Sequence, residues 1–391
     1  MLPRNCLPVL LLAGLLICAC RPVSAPALDA PTAAKIDAIV GRTMKAYQAP
    51  GFALCVVRDG QAVYRKGFGL ADVEAGRPYT PQSVSIQASV TKPLVAMAVL
   101  RLVEQGMIDV DAPAVRYLPA FHMADDRYRA ITVRMLLAHT GGLPDTPKVW
   151  GAALDPNVDP LTQVVADLAD QQLLFAPGTS WSYSNYGYSL IGAIIAAVSG
   201  RPFATYMQEE WLQPLGMAHA TFRADEVDST RLVTAYTADA RGNPAATAIA
   251  CDARDAPNCT LWASCEDMAG WAQRLTAPGA DEDGGLITAA AREAMWTAEA
   301  PTGWADGMGS RFGPPFAAYG LGWFLGEVTG HRLVGHPGGI DGINTQMELA
   351  PDDGLAVIAM TNWRDRKAAP GLPATFAAID VLYLLLGVQP D

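Results

Sequence analysis

A chain of 391 residues with 51% apolar content can bury one large core or two smaller ones. Its net charge of −11, without any basic run, argues against nucleic acid as a partner. No H-E-x-x-H, C-x-x-C, G-x-G-x-x-G or Walker loop occurs, so neither a metal site nor a nucleotide cofactor is indicated.

At the N-terminus Arg4 precedes an apolar run over residues 7–20, too short for a membrane span and built like a secretory signal. Two endings compete. Ile17-Cys18-Ala19-Cys20 is similar to a bacterial lipobox, which would make residues 1–19 the signal and Cys20 a lipidated mature N-terminus. Val23-Ser24-Ala25 is similar to an ordinary cleavage site, but Pro26 follows it. The lipoprotein reading is preferred, and either one places the protein outside the cytoplasm, in the periplasm or on the envelope. Four cysteines remain beyond Cys20, namely Cys55, Cys251, Cys259 and Cys265, and a Cys251–Cys259 bridge is compatible with an oxidising compartment.

After a linker over residues 20–31, the pattern predicts a helix at 32–47 and a hairpin at 51–70 that turns on Asp59-Gly60. Residues 85–106 read as a lead-in, a helix and a stop. Ser89 is expected as N-cap, Pro93 in the first turn and Gly106 at the left-handed C′ position. Further helices are predicted around 132–138, 160–172, 186–199 and 267–275. The 186–199 segment is apolar almost all round and therefore buried. Gly/Pro/Asp-rich loops fall at 141–160, 239–260, 276–285 and 300–318. Short β-rich runs at 320–328, 331–339, 344–350 and 354–362 precede a last helix at 373–386. Strands at both ends with helices between imply an α+β fold: one antiparallel sheet built from residues 32–88 and 286–391, with a helical part over 89–285.

Three short motifs carry chemistry. Ser89 and Lys92 stand three residues apart, which puts their side chains on one helical face. The chain has only six lysines, and this one lies on an apolar helix, where an unpartnered ammonium is costly. A hydroxyl beside an ammonium at a helix start is one way to activate a serine without histidine. In Tyr183-Ser184-Asn185, an extended tripeptide aims the phenol and the amide to the same side. In Gly335-His336-Pro337-Gly338-Gly339, glycines inside a strand mark a close approach of backbone or ligand.

In this order and at these distances, the three motifs resemble those of the serine β-lactamase and penicillin-binding-protein superfamily. The likeness is specifically to the group holding class C β-lactamases, DD-peptidases and family VIII esterases. Supporting segments are LLAHTGGLP at 136–144, PLGM at 214–217, YGLGWFLG at 319–326 and GHPGGIDG at 335–342, and the likeness covers about residues 32–388. The resemblance implies a β-lactamase/transpeptidase-like fold and an acyl-enzyme mechanism on small ester, amide or peptide substrates, without cofactor. It implies Ser89 as nucleophile, Lys92 as its proton-handling neighbour and Tyr183 as general base. Asn185 would contact a substrate amide, and His336 would be the cationic or hydrogen-bonding member of the third motif. Backbone N–H groups of Ser89 and Gly339 would hold the oxyanion, and a larger side chain at Gly338 or Gly339 would obstruct substrate. An adjacent ammonium is expected to lower the phenol of Tyr183 from its ordinary ~10.

One departure shapes the reading. Where the family places threonine or serine, Pro337 offers neither hydroxyl nor N–H, which weakens the grip on a substrate carboxylate. This favours an esterase- or amidase-like hydrolase. The rivals are a DD-carboxypeptidase or β-lactamase, and an envelope sensor that acylates without turnover.

Overall fold

Asp59 and Gly60 both have positive φ, 49° and 73°, as the tightest hairpin turns require. They join β1 (Gly51–Arg58) to β2 (Gln61–Asp72). The structure, a computed structural model, describes residues 27–146, 154–155, 157–277, 286–303, 317–365 and 371–389. The proposed signal, Cys20, most of the linker, and parts of the loops at 141–160, 276–285 and 300–318 lie outside the described residues.

In chain order the remaining strands are β3 (Arg77–Pro78), β4 (Val84–Ile86), β5 (Tyr236–Ala238), β6 (Pro244–Ala246) and β7 (Trp262–Ser264). They continue with β8 (Ala300–Pro301), β9 (Ala318–Tyr319), β10 (Phe324–Val328), β11 (His331–Ile340), β12 (Ile343–Ala350) and β13 (Leu355–Thr361). The helices are α1 (Ala30–Tyr47), α2 (Thr91–Glu104), α3 (Val133–Leu137), α4 (Pro160–Asp167), α5 (Asn185–Ser199), α6 (Phe203–Met207), α7 (Cys265–Thr276), α8 (Ala289–Met295) and α9 (Pro373–Leu386).

Nine of the described strands form one antiparallel sheet in the order β3-β2-β1-β13-β12-β11-β10-β9-β8. Its centre joins the two ends of the chain, with Phe52 opposite Thr361 and Arg58 opposite Leu355. Both β1 and β13 are buried on both faces, so they read as continuous apolar runs and not as alternating ones. One face packs against α1 and α9 around Ile36, Phe52, Val357 and Leu382. The other carries the larger core, with α2, α5 and α7 around Val95, Ile194, Trp271 and Met347. The antiparallel α+β architecture is therefore as the sequence implies. Helix α7 packs on β1 and β13, although its sequence position falls within the helical stretch.

Two local differences appear. Helix α4 stops at Asp167, short of the predicted 172, and continues only as turns. Ser89 is not a helix cap. It lies in the middle of a 3₁₀ turn, Ala88–Val90, and Val90 precedes α2 without any side-chain cap bond. Gly106, at φ 71°, does take the left-handed position just beyond the helix.

Candidate active site

The segment leading to Ser89 is held from several sides. Strand β4 pairs with β7, and the Gln87 backbone N–H donates to Leu261 O at 2.7 Å. The buried Gln87 amide donates to Ser85 O at 3.0 Å and to Ala263 O at 2.9 Å. Ala88 has φ 47°, a left-handed conformation that costs a residue with a Cβ on the order of 1 kcal/mol. That kink turns the extended chain into the 3₁₀ turn that bears Ser89.

Lys92, one turn further, is wholly buried, and its ammonium has three oxygen neighbours. Nζ donates to Ser89 Oγ at 3.1 Å, Asn185 Oδ1 at 2.7 Å and the Asn258 carbonyl at 2.9 Å. It also lies 4.8 Å from the Tyr183 ring centroid and 5.5 Å from that of Tyr188. The phenol of Tyr183 is hydrogen-bonded to Ser89. Ser89, Lys92, Tyr183 and Asn185 thus share one cluster, and the i/i+2 geometry of the Tyr-x-Asn tripeptide holds. Ser184 between them is the N-cap of α5, accepting from Gly187 N–H at 3.3 Å while donating to Pro144 O at 2.7 Å.

Electrostatics differ from the sequence expectation. Burial pulls the Lys92 ammonium down to about 7, against the carboxylates of Asp145 and Asp255, which favour its charged form. Burial also pushes the Tyr183 phenol well above its ordinary value, against the hydrogen bond from Ser89. The expected lowering of the phenol is not met: desolvation is the dominant influence and raises it, as do the nearby Asp145 and Tyr188. At rest the phenol is protonated, and the group that changes charge near neutrality is Lys92.

Of the two states expected for His336, cationic or hydrogen-bonding, the geometry fits the second. His336 is 1% exposed, and burial, aided by repulsion from Lys92, pulls it down to about 3. Its Nε2 accepts from Tyr319 OH at 3.1 Å and its Nδ1 donates to Pro337 O at 2.7 Å. The ring is neutral and both nitrogens are engaged, so the third motif offers no cation here. His336 instead packs within an aromatic group with Tyr183, Tyr319 and Phe324.

Gly338 lies in close contact with the segment that carries Ser89. A Cβ there would collide with the Gln87 carbonyl and the Thr345 hydroxyl, which are themselves joined by a 2.8 Å hydrogen bond. Strand β11 must lie flat on the turn that carries Ser89, and only glycine permits it. A Cβ on Gly339 would instead meet the guanidinium of Arg364.

Sequence reading missed several residues. His139, buried at φ 60°, stacks on Tyr183 with centroids 4.2 Å apart and accepts the Ser184 N–H at 3.1 Å. Asp145 Oδ1 accepts the Asn185 N–H at 2.8 Å. Asn258 contributes through its carbonyl, which no side-chain motif can signal. The LLAHTGGLP segment, which holds His139 and lies just before Asp145, was the one available hint.

Comparison with known proteins agrees with this constellation. The beta-lactamase family model matches residues 36–379. The chain belongs to the beta-lactamase family. It is 37% identical over 212 residues to Esterase EstB of Burkholderia gladioli, an alignment covering 51% of this chain and 54% of that one, so the chain spans about half of that relative's length. The structure of the octameric penicillin-binding protein homologue from Pyrococcus abyssi superposes with a TM-score of 0.78 at 26% identity, covering 92% of this chain and 78% of that one. D-amino acid amidase from Ochrobactrum anthropi SV3 superposes with a TM-score of 0.76 at 22% identity, over 91% and 99% of the two chains, which speaks for the fold alone.

Proposed function

We propose that the protein is an exported esterase-like serine hydrolase that forms an acyl-enzyme on Ser89. The observation that carries the reading is Lys92 Nζ at 3.1 Å from Ser89 Oγ, with the Tyr183 phenol bonded to the same hydroxyl. The neutral amine of Lys92 accepts the Ser89 proton as Oγ attacks the substrate carbonyl. The Tyr183 phenol then protonates the departing alkoxide or amine, leaving a phenolate beside the new ammonium. That phenolate takes a proton from water, the hydroxide attacks the acyl group, and Lys92 returns its proton to Ser89. Tyr183 thus serves as acid in the first half and as base in the second. Backbone N–H groups of Ser89 and Gly339 are assigned to the oxyanion.

Preference for esters rests on the likeness to an esterase, on Pro337 in place of a hydroxyl, and on a neutral His336 that lends no charge to a substrate carboxylate. The likeness to a penicillin-binding protein homologue supports the second reading, hydrolysis of cell-wall peptides or β-lactams. Export with a lipid on Cys20 is supported by the leader-like residues 1–19 and by a disulfide between Cys251 and Cys259. Mass spectrometry of the mature N-terminus tests it.

The decisive experiment maps a fluorophosphonate adduct and measures turnover of short-chain nitrophenyl esters and nitrocefin. Label on Ser89, ester turnover well above nitrocefin turnover, and loss of both label and turnover in Ser89→Ala are expected. Tyr183→Phe should stay folded and lose about 10²–10⁴ in turnover. Ester turnover surviving Ser89→Ala rejects the nucleophile, and nitrocefin turnover exceeding that of esters transfers the protein to the second reading.

A further inference from the structure

The third oxygen on the Lys92 ammonium comes from a covalently closed loop. A disulfide joins Cys251 to Cys259, and residue 258, whose carbonyl accepts from Lys92 at 2.9 Å, is the last residue inside that ring. The ring braces itself: Arg254 pairs with Asp252 at 2.6 Å, and the backbone N–H of Asn258 donates to Asp255 O at 3.0 Å. It is also pinned to α5, the helix that starts at Asn185. The Asn258 amide donates to Ser189 Oγ at 3.1 Å, Ser189 Oγ donates to Arg254 O at 2.9 Å, and Pro257 sits on Gly192, where a Cβ would strike its ring. The other side of the loop, including Cys251, Asp252 and Ala256, lines a cavity of about 430 Å³, through which a small thiol can reach Cys251.

We infer that the Cys251–Cys259 disulfide and Ser189 are positioning elements for catalysis: they hold the Asn258 carbonyl on Lys92 and keep water from the amine, so that thiol–disulfide state sets the activity of the enzyme. This rests on the proposal that Lys92 exchanges the Ser89 proton. A dithiol supplies two electrons and two protons, converts the bridge to two thiols and is itself oxidised to a disulfide. The freed loop loses its closure and admits water beside the ammonium. Rehydration favours the charged form, because desolvation is the largest cause holding that group down. The other titratable groups around Lys92 stay in place: Asp145 before α4, His139 after α3, Tyr183 and Tyr188 at the start of α5, and His336 on β11. Asp255 lies in the ring itself and moves with it.

The test is the pH dependence of ester turnover by the full enzyme, oxidised, after reduction by dithiothreitol, and after reoxidation. Alkylation with mass spectrometry verifies that Cys251 and Cys259 open while the buried Cys55 and Cys265 stay unmodified. Reduction should move the acidic limb to higher pH by about one unit, lower kcat at pH 7 about fivefold, and reverse on reoxidation. Ser189→Ala, with the bridge intact, should move the limb the same way by a smaller amount. A limb that moves in neither case overturns the inference, whatever happens to kcat, because a loop that merely supports the fold lowers rates without moving that limb. Fluorophosphonate labelling of Ser89 in both redox states separates this outcome from failure of the catalytic reading, which would show as label elsewhere.

Discussion

Two ionisable side chains are fully buried on opposite faces of the same sheet, and the chain treats them differently. Lys92, on the face with α2 and α5, is pulled down to about 7 and has three oxygen acceptors within 3.1 Å. Glu348, on β12 under α9, is pushed up by burial to about 8. Its Oε2 accepts from the Gln346 amide at 2.7 Å, but among the described residues Oε1 has no partner, and neither do Gln346 Oε1 and Tyr383 OH nearby. Desolvation is the first cause of both shifts. The difference lies in what surrounds them. Lys92 is ringed by acceptors from three separate parts of the chain, the arrangement the proposed proton transfer uses, whereas the Glu348 carboxyl, held neutral by burial, is bonded to the neighbouring Gln346 amide.

Breaking the Lys92 side should have the largest effect. Lys92→Arg keeps a cation and its donors but cannot release a proton. We expect about 10³-fold loss of kcat/KM on nitrophenyl esters, with fluorophosphonate labelling of Ser89 slowed in parallel. In the native enzyme, protonation of Lys92 should switch off turnover as pH falls through about 7, so kcat/KM should decline tenfold per unit below it. Retained activity at pH 5 would contradict the assignment of the amine as acceptor.

Gly338, on the strand between the two faces, comes next. Gly338→Ala drives a methyl into the Gln87 carbonyl and displaces the Ser89 turn. A shift of about 1 Å at the nucleophile costs roughly 10²-fold in kcat/KM, and overpacking costs about 1–3 kcal/mol of stability in urea melts. Substrate binding blocked with an unchanged rate of Ser89 labelling would instead place this glycine in the substrate's path.

Glu348 should matter least for turnover and most for the sign of the pH dependence of stability. Its pKa is raised on folding from an ordinary 4.5 to about 8. Between those values the unfolded chain has lost a proton that the folded chain keeps, so this group makes stability fall as pH rises through that window and contributes no further slope above it. Glu348→Gln should leave ester turnover within about twofold, flatten that slope, and stabilise the fold at pH 8 by about 1–3 kcal/mol. A variant less stable than the parent at pH 8 would show that the carboxyl holds α9 in place.

Much of this was legible from the sequence because the relevant distances along the chain are short. The i/i+3 relation of Ser89 and Lys92, the i/i+2 relation of Tyr183 and Asn185, and the turn at Asp59-Gly60 all follow from helical, extended and hairpin periodicities. The strand glycines announced a close approach at Gly338, although which partner approached was not legible. The α+β order of strands, helices and strands gave the sheet its two terminal contributors.

What tertiary structure alone decided is the electrostatic state of those residues. Whether an ammonium, a phenol or an imidazole is charged depends on the water removed and the dipoles supplied by segments 93 and 166 positions away, as Asn185 and Asn258 are from Lys92. Local pattern places a group on a face, but burial disfavours its charged form, which is why Tyr183 rose where it was expected to fall and His336 is neutral. Ser89 left its expected capping role for a strained turn because β7 and β11 press on Gln87 from elsewhere in the chain. Residue order determined which groups could meet; packing determined which of them hold protons.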